Sequence, residues 1–364
     1  PQPISGEFSV AEGFLEAAVP VFREAPFAHS LDLNGAVRYA EYSTAGGATT
    51  WKLGATWSPV PDLRFRATRS RDVRAPNIAE LFTSSLQTSG QAVRDPARGG
   101  VLGTVTRRTS GNPDLLPEEA DTTTLGVVLQ PRDITGFSAS LDYYSIEIAG
   151  AIASPSPQDI VDRCFAGNTA LCGRIGRDPT GVITSVVTPT LNLTELNTWG
   201  LDIELGYRTS IADGAATFRA LATYVGSLET TSGAVVSDSA GTVGRVTGVP
   251  SWRATLSARW ARGPFSIYVQ ERFIDEGLFD NTLGPAVLSE ADNSIDARFY
   301  TDLTLSWELE GVGRKSSAFL TINNLFDQDP PIAPSGAITT PRQTNFYLYD
   351  VVGREFTAGV RLRF

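Results

Sequence analysis

Apolar and polar residues alternate with a period of two over long stretches of this chain. In 355–364, Phe356, Ala358, Val360, Leu362 and Phe364 fall on one face, and Glu355, Thr357, Gly359, Arg361 and Arg363 fall on the other. The pattern recurs in the row Trp51, Leu53, Ala55, Trp57, in Trp199, Leu201, Ile203, Leu205, Tyr207, and in Trp252, Ala254, Leu256, Ala258, Trp260. It recurs again in Phe299, Thr301, Leu303, Leu305, Trp307, set against Asp302, Thr304, Ser306 and Glu308. Side chains of a strand point alternately to its two faces, so each segment predicts a strand with one apolar and one polar side. Aromatic residues at both ends of an aliphatic row match the girdles where a barrel wall meets the two surfaces of a bilayer.

Connections between these strands alternate in length. Short turns are predicted near 59–62, 131–136, 212–214, 262–264 and 310–314. Long polar segments, expected to be extracellular loops, lie near 72–118, 153–193, 230–250, 275–297 and 327–352. Short turns on one side and long loops on the other are what an outer-membrane barrel shows. About thirteen spans are countable, the first near 6–19 and the last near 353–364. Bacterial single-chain barrels have an even number of strands, so further strands are expected upstream.

Composition narrows the reading. Apolar residues make up 41% of the chain, and no run approaches the roughly 18 uninterrupted apolar residues of a membrane helix. Net charge is −10, which argues against nucleic acid as the main partner. The chain holds no methionine and opens on Pro1-Gln2-Pro3, as a piece of a longer, processed precursor would. Cys164 and Cys172 close a short loop containing Gly167 and Asn168. They read as a disulfide formed in an oxidising compartment, with two free thiols as the other reading; metal ligands are lacking nearby.

Five segments in chain order resemble landmarks of the barrel of TonB-dependent receptors: 66–82 (RATRSRDVRAPNIAELF), 111–118 (GNPDLLPE), 198–204 (TWGLDIE), 323–327 (NNLFD) and the terminal strand ending in Phe364. The resemblance implies an all-β, transmembrane antiparallel β-barrel of about 22 strands. Residues 1–364 would be its C-terminal portion, with about thirteen of those strands present and the plug domain absent from this chain. It implies a receptor in the bacterial outer membrane that imports a scarce ligand (siderophore-iron, vitamin or glycan fragment) when TonB acts on the plug. The implied partners are outer-membrane lipid, the receptor's own N-terminal plug domain, the TonB complex, an extracellular small-molecule ligand, and the barrel-assembly machinery, for which Phe364 resembles the insertion signal. A passive porin-like channel is the alternative, and a soluble all-β binding module a third reading.

Candidate residues follow from chemistry. Arg64, Arg66, Arg69, Arg71 and Arg74 form a basic run that can hold a plug or guide an anionic ligand through the lumen; pairing with acidic residues of neighbouring strands is the competing role. In the loops, Arg94, Arg98, Arg107 and Arg108 can contact a ligand, and Phe279, Phe346, Tyr347 and Tyr349 can stack on a ring or sugar, with the upper aromatic girdle or loop packing as the competing role. His29 is the sole histidine, so neither a metal site nor a Ser-His-Asp arrangement has the material it needs. No Walker loop, zinc motif or Gly-x-Ser-x-Gly elbow occurs, so no enzyme and no cofactor is expected.

Overall fold

The structure is a computed structural model describing residues 4–232, 235–244, 248–281, 293–309, 316–333 and 343–362. The chain opens with four antiparallel strands joined in order, β1 (Val10–Ala25), β2 (Ala28–Tyr42), β3 (Gly46–Val60) and β4 (Leu63–Arg74). It then leaves the sheet through the helix α1 (Ile78–Phe82) and a hairpin of β5 (Leu86–Asp95) and β6 (Val101–Ser110). The sheet resumes with β7 (Glu118–Leu129), paired to β4, and β8 (Phe137–Ala153). A second excursion carries helices α2 (Pro157–Phe165) and α3 (Thr169–Cys172) and strands β9 (Ile175–Arg177) and β10 (Ile183–Pro189). Next come β11 (Leu191–Ile211), β12 (Gly214–Ser232) and its short partner β13 (Val235–Asp238), then β14 (Trp252–Arg262) and β15 (Phe265–Ile274). A two-residue pair, β16 (Gly277–Leu278) and β17 (Ser294–Ile295), precedes the last three strands, β18 (Arg298–Leu309), β19 (Ser316–Asn323) and β20 (Glu355–Arg361). The result is one antiparallel sheet of 14 strands in which sequence neighbours are spatial neighbours, apart from the two excursions and the β16–β17 pair.

Pairing register shows why the alternation was so regular. One cross-strand row runs from Trp57 and Phe65 through Leu141, Ile203 and Ala254 to Phe273 and Phe299, all on the apolar face. It begins beside a short turn and ends beside a long connection, so the strands are inclined to the wall, as closure of a barrel requires. Aromatic rings cluster at both margins: Trp260, Phe265 and Trp307 stand 6.4 and 6.0 Å apart near the short turns, and Trp199, Tyr224 and Trp252 stand 5.9 and 4.8 Å apart toward the long connections. Leu53, Leu125, Leu205 and Leu256 between them are exposed, which a strand facing water would not tolerate in such a continuous band.

The expected strands are found, and the largest displacement has a local cause. The first span was expected near 6–19 but runs to Ala25, because a bulge between Pro20 and Phe22 flips the parity of the row there. The turn between β11 and β12 is two residues, Ala212 and Asp213, both at positive φ (48° and 59°) as a primed turn demands. The turn expected at 310–314 lies outside the described residues, as does Phe364.

The long segments are more ordered than "polar loop" implied. β5, β6, β10 and β9 form a second sheet, with β6 and β10 parallel, so two separate excursions share one fold. Val93, Val105, Ile160, Val161, Leu171, Ile183 and Val186 form its core. Cys164 and Cys172 are disulfide-bonded, with Cα atoms 5.0 Å apart, and clamp α2 to α3 over that core. A second core joins Val243, Ile274, Ile295, Tyr300, Ala333 and Tyr349, where later connections pack onto β15 and β18. Among the described residues no helix is long and apolar enough to cross a membrane, and every element is wall or connection.

Candidate functional site: the polar face of the wall and its cap

The polar face carries a belt of charges at matched register. Arg66, Gly126, Asp142, Asp202, Thr223 and Arg253 are successive cross-strand neighbours from β4 to β14. Arg66 donates to both carboxylate oxygens of Asp142, at 2.7 and 2.6 Å, although β7 lies between their strands. Gly126 makes this possible: a Cβ there would stand 2.0 Å from Asp142 Oδ1 and 2.8 Å from Arg66 Nε. Asp202 accepts from the Thr223 hydroxyl at 2.7 Å, and Arg219 pairs with Glu204 at 2.9 Å. Arg64 and Arg253 make no ion pair among the described residues.

Arg74 closes the top of β4. Its guanidinium donates to Glu118 at 2.6 and 2.7 Å and to Glu80 at 3.1 Å. Glu80 is also the reciprocal cap of α1: its carboxylate accepts the Asn77 N–H at 2.8 Å while Asn77 Oδ1 accepts the Glu80 N–H at 2.9 Å. Glu118 in turn accepts the Ile152 N–H at 2.6 Å. Leu81 and Leu115 are both buried beside this lock. The segments 66–82 and 111–118, recognised separately in the sequence, are therefore halves of one joint, and Asn112 binds it by donating its backbone N–H to Glu80 O and its side chain to Thr190 O.

The five arginines expected to act together do not share a face. Arg64, Arg66 and Arg74 lie on the polar side; Arg69 and Arg71 have the parity of Phe65 and Ala67 and lie on the other. There Arg71 donates to Asp121 at 3.0 and 2.7 Å, and Arg69 donates to Thr123 at 2.5 Å. This is the pairing with neighbouring strands that was the competing role.

The cap residues also separate. Arg107 staples the two excursions, donating to Thr188 Oγ1 at 2.8 Å and to Pro155 O at 3.3 Å. Arg94 exchanges backbone bonds with the Gln158 side chain, and the Arg94, Arg98 and Arg108 residues are exposed. The Arg177 guanidinium beside Asp95 holds that carboxyl below its usual range. Phe346 and Tyr347 lie with ring centroids 4.0 Å apart at a 38° tilt; Phe346 lines an apolar hollow with Pro330, Pro331 and Ile332, and Tyr347 is exposed. Tyr349, grouped with them from sequence, is instead buried in the second core, where burial pushes its hydroxyl up to about 12, and Phe279 packs against the same core. Among the described residues no three His, Cys, Asp or Glu side chains converge as a metal site. Sequence reading missed Asp142, Asp202, Glu118 and Arg253; parity marked each as facing the polar side, but only register places Asp142, Asp202 and Arg253 in one belt and Glu118 opposite Arg74.

Comparison with known proteins agrees with this architecture. A sequence model described as "TonB dependent receptor-like, beta-barrel" matches residues 6–325. Among solved structures, the siderophore receptor PirA from Acinetobacter baumannii superposes with TM-score 0.65 at 15% identity, covering 98% of this chain and 46% of its own. A mutant ferric enterobactin receptor, PfeA from Pseudomonas aeruginosa, gives 0.65 at 15%, covering 96% and 44%. The FrpB iron transporter from Neisseria meningitidis gives 0.58 at 15%, covering 97% and 45%. The chain spans somewhat less than half the length of these proteins. A search of curated proteins found no match. With a two-faced antiparallel wall, aromatic margins and the family match over most of its length, this chain belongs to the TonB-dependent receptor β-barrel family.

Proposed function

We propose that this chain supplies the wall, lumen lining and ligand-facing cap of a bacterial outer-membrane receptor that imports a scarce ligand by TonB-coupled movement of a plug. The polar face is then the lumen, the apolar face meets outer-membrane lipid, and the long connections are extracellular. The observation that carries this reading is the cap: two long connections from one end of the wall fold into a single sheet with its own core and disulfide, and a third presents a close aromatic pair. An open passive pore has no use for so elaborate a cover. Siderophore-iron is the favoured ligand, because solved structures similar to this chain include receptors named for siderophores.

Residue roles follow the geometry. Arg64, Arg66 and Arg74 face the lumen, where Arg64 is available to an acidic plug surface and the other two stiffen the wall. Arg94, Arg98 and Arg108 with Phe346 and Tyr347 are the ligand-facing set of the cap, while Arg107 holds it together. Phe364 serves the barrel-assembly machinery.

Uptake of a labelled ferric siderophore by cells carrying the complete gene tests the proposal. Uptake should stop when tonB is deleted or a protonophore is added; uptake that persists under both supports the passive channel. Expression should rise on iron limitation, and induction only by a glycan would overturn the siderophore preference.

A further inference from the structure

A cavity of about 320 Å³ opens on the polar face where β12, β14 and β15 meet the connection 343–350. Its polar lining is Arg253, Arg272, Thr223 and Thr255; Ile274 and Leu348 are among its apolar walls. Arg272 is fixed from two sides, with Nε 3.4 Å from Asp302 Oδ2 and its guanidinium 5.3 Å from the Tyr300 ring centre. Asp302 is itself held by the Asn324 N–H at 2.9 Å, so Arg272 is oriented and its charge is already matched. The Thr223 hydroxyl is committed to Asp202. Arg253 is different: it is exposed, has no ion pair among the described residues, and points its positive charge into a recess half lined with hydrocarbon.

We infer that this recess binds a small carboxylate bearing an apolar arm. Arg253 takes the carboxylate through paired N–H donors, assisted by the terminal nitrogens of Arg272 and the Thr255 hydroxyl. The arm lies against Ile274 and Leu348, where its burial adds affinity that a bare anion cannot gain. An inorganic oxyanion would leave that hydrocarbon uncovered and set more charge near Asp202 and Asp302. The site depends on the wall, Val249 and Pro250 of the β13–β14 connection and the 343–350 connection, and its occupancy is measurable whether or not the import reading holds.

The test is titration calorimetry of the complete receptor in detergent at fixed ionic strength, with benzoate as probe and inorganic phosphate as comparator. Benzoate should bind saturably and more tightly than phosphate. Arg253→Gln should weaken benzoate by at least about tenfold, and Arg132→Gln, in the short β7–β8 turn far from the recess, should leave it unchanged. Leu348→Trp, which fills the recess while keeping both arginines, should abolish binding, with heat-modifiable migration showing each variant still folded. Benzoate affinity weaker than about 10 mM, equal affinity for phosphate, or binding indifferent to Arg253→Gln or Leu348→Trp would overturn the inference.

Discussion

Replacing Gly126 by alanine probes the charge belt at its narrowest point. The new Cβ would stand 2.0 Å from Asp142 Oδ1, well inside contact, so the carboxylate must swing away and the two-point bond from Arg66 must break. The obstruction is the end of a side chain, not backbone, so the cost sits at the low end for overpacking, about 1 kcal/mol. The Arg66 side chain is 50% exposed and that of Asp142 22%, so solvent screening limits the pair itself to roughly 0.5–1 kcal/mol. Against this, alanine relieves strand glycine of its entropy penalty, about 0.5–1 kcal/mol. The net expectation is destabilisation by roughly 1 kcal/mol. With Asp142→Ala already present the nearer obstruction is gone and the Arg66 side chain, 2.8 Å away at Nε but no longer anchored, can swing aside, so Gly126→Ala should become stabilising by up to about 0.5 kcal/mol. Equilibrium unfolding of the complete receptor in lipid vesicles, followed by tryptophan fluorescence in a double-mutant cycle, measures both signs. An equal cost for Gly126→Ala in the two backgrounds would refute the claim that this glycine exists to let Arg66 reach Asp142.

Arg74→Ala should release α1 from the wall, costing about 1–2 kcal/mol after allowance for exposure and leaving Glu80 and Glu118 facing each other; hydrogen exchange across 77–83 would quicken, and Arg74→Lys should quicken it too, because lysine lacks the two-sided fork. Ala212→Asn should stabilise the β11–β12 turn by about 0.5–1 kcal/mol, read as a raised unfolding midpoint, since asparagine tolerates positive φ better than alanine. Removing the disulfide by Cys164→Ser with Cys172→Ser should cost the cap about 2–3 kcal/mol without altering the wall, seen as protease cleavage within 157–172 while the heat-modifiable barrel persists. Asp95 has a depressed pKa, so its contribution to the cap is present above the unfolded value of about 3.9 and is lost as pH falls through the lower folded value. Tyr349 is raised to about 12, so the second core should weaken as pH climbs from about 10 toward 12, with tyrosinate absorbance lagging that of a free tyrosine.

Much of the wall was legible in the sequence, because a two-residue period is a local property and each strand carries its own copy of it. The strand expected at 298–309 is found as Arg298–Leu309, and even the separation of Arg69 and Arg71 from Arg66 was present in their parity with Phe65 and Ala67. Where local geometry departs from period two, at the Pro20 bulge, the reading stopped early. The functional face was much less legible. That Arg66 meets Asp142, 76 positions away, depends on the register of three strands and on one missing Cβ. That the excursions 75–117 and 154–190 share a sheet depends on β6 finding β10 in parallel, a pairing no local pattern encodes. Tyr347 and Tyr349 differ by two positions and look alike in sequence, yet one is exposed and the other is buried against Tyr300 and Ile274. Alternation along the chain therefore determined which residues form the wall and which side they face. Only the tertiary structure decided which of them meet, because contacts across strands and between loops are set by register and packing over long sequence separations.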